Sequence, residues 1–208
     1  MSLAELAARM HGAHLDGVPL KGPRTYLHST DLWNALERLF ADEVTAAPGS
    51  RMSIAFRRLT ARRLQIVPAE TVDLSVRFGD VRLTCNDEVL SLALAETGET
   101  VTGRVACPEA GILPEIVLGE QTASVPARGA GSPVERLVAA TRTLHLRQVD
   151  AGVKWLVGRL DLKVPFARDA RTVEVKIARK LPRGATISSV SLDGAPVGEI
   201  YFNMMRQS

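Results

Sequence analysis

Residues 25–44, TYLHSTDLWNALERLFADEV, are the stretch on which the fold is decided. Leu32, Leu36, Leu39 and Phe40, with Trp33 and Val44 alongside, recur at helical spacing and form one broad apolar stripe. Ser29 or Thr30 can cap this helix, and Asp31 places a negative charge in the first turn, where the helix dipole favours it. A core helix from Thr30 to Val44 is expected, with His28 just ahead of its cap. No comparable helix follows until Ser132, and the residues between alternate in the manner of strands. The helix is therefore read as the filling of a curved sheet.

The 208-residue chain is long enough for one large domain or two small ones. Hydrophobic residues at 46% and charged residues at 24% are ordinary globular values. Lys and Arg total 26 against 23 Asp and Glu, too small an excess for a nucleic-acid partner. Cys85 and Cys107 form no metal or redox spacing and read as reduced thiols of a cytoplasmic protein. The first residues carry charge and no continuous apolar run, so neither a signal peptide nor a membrane partner is expected.

Outward from the helix, Leu3, Leu6, Ala7 and Met10 predict a short N-terminal helix, with Ser2 and Glu5 in capping-box relation. On the other side, Pro48-Gly49-Ser50 turns the chain. Residues 52–67 read as one bent strand or two, and Thr71–Phe78 alternates as a further strand. Asn86-Asp87 is a turn, and Val89–Ala95 with Thr100–Ala106 predicts a hairpin around Thr97-Gly98. Pro- and Gly-rich residues 108–131 read as a linker. Ser132-Pro133-Val134-Glu135 is then a strong helix start, cap and capping box together, with Val134, Leu137, Val138, Thr141 and Leu144 on one face. Asp150-Ala151-Gly152 closes that region. Four strands follow, at 154–164, 172–181, 185–192 and 197–204, with Asp193-Gly194 turning between the last two.

The two halves share an order of elements and a set of landmarks. Residues 63–68, RLQIVP, resemble residues 159–165, RLDLKVP, and Val101 with Gly103 resembles Val197 with Gly198. A helix, a strand ending in proline, and then antiparallel strands, in units of about a hundred residues, resembles the hotdog fold. Two such units on one chain would be an α+β double hotdog. The expected organisation is an N-terminal helical extension over residues 1–24, a first unit over 25–107, a linker over 108–131 and a second unit over 132–208.

The resemblance implies a substrate class. Hotdog proteins commonly bind or process acyl groups carried as thioesters on coenzyme A or acyl carrier protein, as dehydratases, hydratases or thioesterases. The functional body is a pair of units, here a monomer with pseudo-dimeric halves or a homodimer. In the dehydratases a histidine before the central helix works with a helical carboxylate, which directs attention to His28, with Asp31, Glu37 and Glu135 as candidate acids. A histidine near neutrality can take a proton alpha to the thioester carbonyl. The His-x-x-Gly-x-Pro loop and the Asp-x-x-x-x-His pair of these branches are missing. A non-catalytic ligand-binding or assembly module with a degenerate hotdog fold is the alternative, and in it His28 and Asp31 serve only the helix start.

Arg57, Arg58, Arg62 and Arg63 form the densest basic cluster, either a solvated sheet edge or a landing site for the phosphates of the acyl carrier. His11 and His14 beside Asp16 lack a third fixed ligand, and no metal or cofactor is expected. Gly-x-Ser-x-Gly, His-Glu-x-x-His, a P-loop and paired Cys-x-x-Cys are absent, which removes the strongest rival enzyme classes.

Overall fold

The computed structural model describes residues 3–41, 47, 49–147 and 153–206. The expected Ser2 cap, the helix end at 42–44, Pro48 of the first turn and the closing residues 150–152 lie outside the described residues. The chain divides into two compact units, one ending at Cys107 and the other beginning at Pro108.

In the first unit, α1 (Leu3–Met10) buries Leu6 and Met10 and packs on strands β5 (Glu88–Thr100) and β3 (Arg62–Pro68). The residues after α1 run along the edge of β3: Gly12 N–H donates to Ile66 O at 2.9 Å, Ile66 N–H to Ala13 O at 2.8 Å and Leu15 N–H to Leu64 O at 2.9 Å. Residues 1–24 were expected as a separate extension. Their described part is instead woven into the first unit, where it satisfies an edge that would otherwise template aggregation.

Helix α2 (Ser29–Leu39) starts one residue earlier than its sequence suggests. Its N-cap is His28, with extended backbone and no side-chain capping bond, so neither Ser29 nor Thr30 caps. Thr30, Leu32, Trp33 and Leu36 are buried along it. The sheet of this unit has the order β3-β5-β4-β2, with β2 at Arg51–Phe56 and β4 at Arg77–Cys85, all pairs antiparallel. Asn86 and Asp87 both take positive φ, the geometry of a tight hairpin turn, between β4 and β5.

Two expected strand features are replaced. Residues 71–76 are a turn, not a strand, because the Asp73 side chain accepts from Ser75 N–H at 2.7 Å and its carbonyl accepts from Val76 and Arg77. Local side-chain bonding of this kind outcompetes a ladder, and it leaves Leu74 and Val76 exposed. Thr97-Gly98 is no hairpin turn, since β5 runs straight through it. The register against β3 jumps from Leu64↔Glu96 to Arg62↔Thr100, so the extra residues form a bulge. The expected return strand shrinks to β6 (Arg104–Val105), which pairs in parallel with β1 (Leu20–Lys21).

The second unit begins inside what the composition marks as a linker. Residues 108–131 contain a helical turn at Glu109–Ile112, a 3-10 turn at Leu113–Glu115 and strands β7 (Val117–Leu118) and β8 (Thr122–Pro126). Small and proline residues here make short elements, not free chain, because β8 pairs along the strand at Thr172–Leu181 and Arg136 locks the loop after it. That guanidinium is fully buried, donating to the carbonyls of Pro126 and Ala130 and pairing with Glu115. Helix α3 (Pro133–Leu146) starts as predicted, with Ser132 and Glu135 in a complete capping box. It packs on β8, β9 (Val153–Lys163) and β10 (Thr172–Leu181). The sheet order is β9-β12-β11-β10-β8-β7, with β11 at Ala185–Leu192 and β12 at Ala195–Arg206.

Both units thus place a helix ahead of four antiparallel strands, but the repeat landmarks fall on non-equivalent positions. Pro68 ends the second strand after its helix, whereas Pro165 follows the first. After the helix the first unit is ordered β2-β4-β5-β3 and the second β9-β12-β11-β10, so the last hairpin is inserted in opposite senses. No helix among the described residues is long and apolar enough to cross a membrane.

Candidate functional site

The start of α2 gathers four polar side chains within the first unit. Lys21 arrives there because β1 is held against β6, with Leu20 N–H donating to Gly103 O at 2.9 Å and Gly22 N–H to Val105 O at 2.8 Å. Arg104 clasps the next loop by donating to the carbonyls of Gly22 and Arg24, and Leu27 N–H donates to Thr60 O at 2.7 Å. The chain enters the helix with Lys21 only 4% exposed. An ammonium removed from water costs several kcal/mol unless it is paired, and Lys21 Nζ lies 2.6 Å from Asp31 Oδ1. The same nitrogen is 3.5 Å from Thr30 Oγ1. Thr30 is fully buried, and its hydroxyl oxygen is 2.7 Å from Nδ1 of the half-buried His28.

Two expected site residues, His28 and Asp31, therefore share one helix turn, joined through Thr30 and Lys21. Asp31 is the acceptor of an ion pair, so a proton-donating role for it would first require that pair to open. Glu135 belongs to the other unit, where its carboxylate accepts Ser132 N–H at 2.6 Å and closes the capping box of α3.

The arginine cluster does not act as one group. Arg57 pairs with Asp80 at 2.8 Å, a carboxylate that Arg77 also grips, and Arg58 pairs with Glu96 at 3.1 Å. Both lie beyond the end of β2, so strand alternation separates only Arg62 from Arg63. Arg63 reaches Asp16 at 3.4 Å and Glu99 at 3.2 Å beside a surface cavity of about 170 Å³. A phosphate there would compete with two carboxylates. Arg62 is exposed and has no carboxylate partner among the described residues.

A buried histidine also escaped the sequence reading. His145, on the last turn of α3, is 2% exposed, stacked on Phe202 at 5.3 Å and tilted against Trp155 at 4.6 Å. Its Nδ1–H donates to Thr141 O at 2.6 Å, and its Nε2 accepts the Thr186 hydroxyl at 2.5 Å. Burial pushes its pKa below the ordinary histidine value, helped by Lys180 and opposed by the bond to Thr141. The signal was available: His145 is four residues beyond Thr141 and continues the apolar face of α3. Lys21 left no such trace, because nothing in Leu20-Lys21-Gly22-Pro23 shows that β6 will cover it.

No family model matches the chain, and no curated protein matches it. Among solved structures, it is similar to the dehydratase domain of PpsC from Mycobacterium tuberculosis in complex with C12:1-CoA, at 11% identity, TM-score 0.47 and coverage of 86% of this chain and 85% of that one. It is also similar to a tesB protein of Mycobacterium avium subs paratuberculosis, at 13% identity, TM-score 0.43 and full coverage of both chains (100%). A third is a putative thioesterase II from Thermobifida fusca, at 14% identity, TM-score 0.44 and 89% coverage of each. The fold assignment rests on the chain's own elements, a helix ahead of an antiparallel sheet in each unit. Both units have the hotdog order of elements. Within the first unit, the His28 turn is the place where a titratable side chain, a buried cation and a helix start meet.

Proposed function

We propose that this double hotdog binds an acyl thioester, carried by coenzyme A or an acyl carrier protein, and processes it as a dehydratase, hydratase or thioesterase. The observation that supports this reading is the His28 array: a half-buried imidazole at the N-cap of α2, backed by Thr30, Asp31 and the buried Lys21. The carrier's phosphates would meet Arg62, and Cys85 and Cys107, neither of them in a disulfide, suit a reducing, cytoplasmic setting.

The test is turnover of medium-chain acyl-CoA and enoyl-CoA, followed by thiol release and by enoyl absorbance. His28→Ala lowers turnover by about two to three orders of magnitude, the usual worth of one hydrogen-bond donor to developing oxyanion charge, with little change in melting temperature. Arg62→Glu weakens binding, and added salt narrows the difference from wild type. Lost stability with unchanged turnover would assign His28 to the helix start alone.

A second reading, a non-catalytic acyl-ligand or assembly module, has one observation in its favour. Two of the three candidate carboxylates are committed, Asp31 to Lys21 and Glu135 to the Ser132 cap. Binding of acyl-CoA without turnover by wild type would select it.

A further inference from the structure

We infer that Thr30 holds neutral His28 as the Nε2–H tautomer, so that the ring presents a hydrogen-bond donor, not a base, at its Nε2 edge. The argument is an inventory of protons around one buried hydroxyl. Thr30 is fully buried, and its Oγ1 has two neighbours among the described residues, Lys21 Nζ at 3.5 Å and His28 Nδ1 at 2.7 Å. An ammonium only donates. The single proton of the Thr30 hydroxyl therefore has one acceptor to go to, the lone pair of Nδ1. If Nδ1 carried the proton instead, two donors would face Oγ1 and the buried Thr30 O–H would point at nothing, the kind of unsatisfied donor that folded proteins avoid. With Nδ1 accepting, the ring proton sits on Nε2.

Lys21 and Thr30 are on this view positioning residues. Asp31 holds Lys21 in place at 2.6 Å, Lys21 orients the hydroxyl, and the hydroxyl sets the ring. His145 reaches the opposite state by the same reasoning: a backbone carbonyl at its Nδ1 forces the proton onto Nδ1. The chain should thus contain one defined histidine of each kind. That the Nε2–H donor meets an acyl carbonyl rests on the function proposed above; the tautomer itself does not. A donor aimed at a thioester carbonyl would stabilise negative charge developing on oxygen, as an oxyanion-hole group does.

Long-range proton–nitrogen correlation spectra of the nitrogen-15-labelled full-length protein, recorded above the histidine titration, test the tautomer directly. The His28 signals are identified by their loss in His28→Gln. The inference predicts a pyridine-type Nδ1 and pyrrole-type Nε2 for His28, with the reverse for His145. Thr30→Val should drive His28 toward a mixture, and Thr30→Ser should keep the wild-type pattern. A pyrrole-type Nδ1 in wild type, or a pattern unchanged in Thr30→Val, overturns it. Acyl-CoA titration separates the two levels. His28→Gln retains an N–H near the Nε2 position, so it should keep affinity to within a few-fold while His28→Ala loses it, and equal loss in both overturns the donor role. Absence of acyl-CoA binding by wild type would overturn the proposed function, while an Nε2–H His28 would still support the tautomer.

Discussion

His28 and His145 are chemically the same residue put to different uses by the oxygen that each meets at Nδ1. His28 meets a hydroxyl, which can give or take a proton, next to a cation that can only give. His145 meets a carbonyl, inside an apolar setting of Trp155 and Phe202. The second case has a consequence for stability. Burial holds the folded-state pKa of His145 below its unfolded value, so below about pH 6.5 the unfolded chain takes up a proton that the folded chain refuses. The contribution of neutral His145 is thus complete above that pH and is lost as pH falls. Urea midpoints between about pH 7 and about pH 5 should fall more in wild type than in His145→Gln. Parallel losses in the two proteins would remove His145 as the cause.

At the level of elements, the two central helices begin by different devices. α3 has a capping box, written in the sequence as Ser132-Pro133-Val134-Glu135 and present in the structure. α2 begins at His28 with no side-chain cap, although Ser29 and Thr30 both have the right chemistry. Thr30 is unavailable because its hydroxyl is engaged with His28 and Lys21. Ser132→Ala should accordingly cost about 0.5–2 kcal/mol in denaturant unfolding, and Ser29→Ala less than about 0.5 kcal/mol. A larger loss from Ser29→Ala would show that this serine caps α2 in solution. Strands announced themselves where alternation met a clear turn, as at Asn86-Asp87 and Asp193-Gly194, whose non-glycine residues all take positive φ. They misled where side-chain chemistry intervened. Asp73 folded an alternating stretch into a turn, and Thr97-Gly98 became a bulge because β3 was available to pair on both sides of it. Composition failed between Pro108 and Gly131, since small residues and prolines are as much at home in short strands and helical turns as in a linker.

On the scale of the whole chain, element order was legible and strand neighbours were not. Local pattern reports where a helix or strand is, while the choice of partner depends on residues far away, as when β5 lies between β3 and β4. The matched prolines therefore marked strands of similar composition in different sheet positions. The site followed the same division. His28 and Asp31 were visible because they flank the start of a strong helix, whereas Lys21 and Thr30 gained meaning only when β1 and β6 brought a cation under that start. The central claim, that this turn meets an acyl thioester, is tested most directly by titrating labelled full-length protein with a medium-chain acyl-CoA and, separately, with coenzyme A alone while following the His28 ring signals. The account predicts that the acyl ligand moves them and that coenzyme A alone moves them less; acyl-CoA that fails to bind, or binds and leaves His28 unmoved, would contradict it.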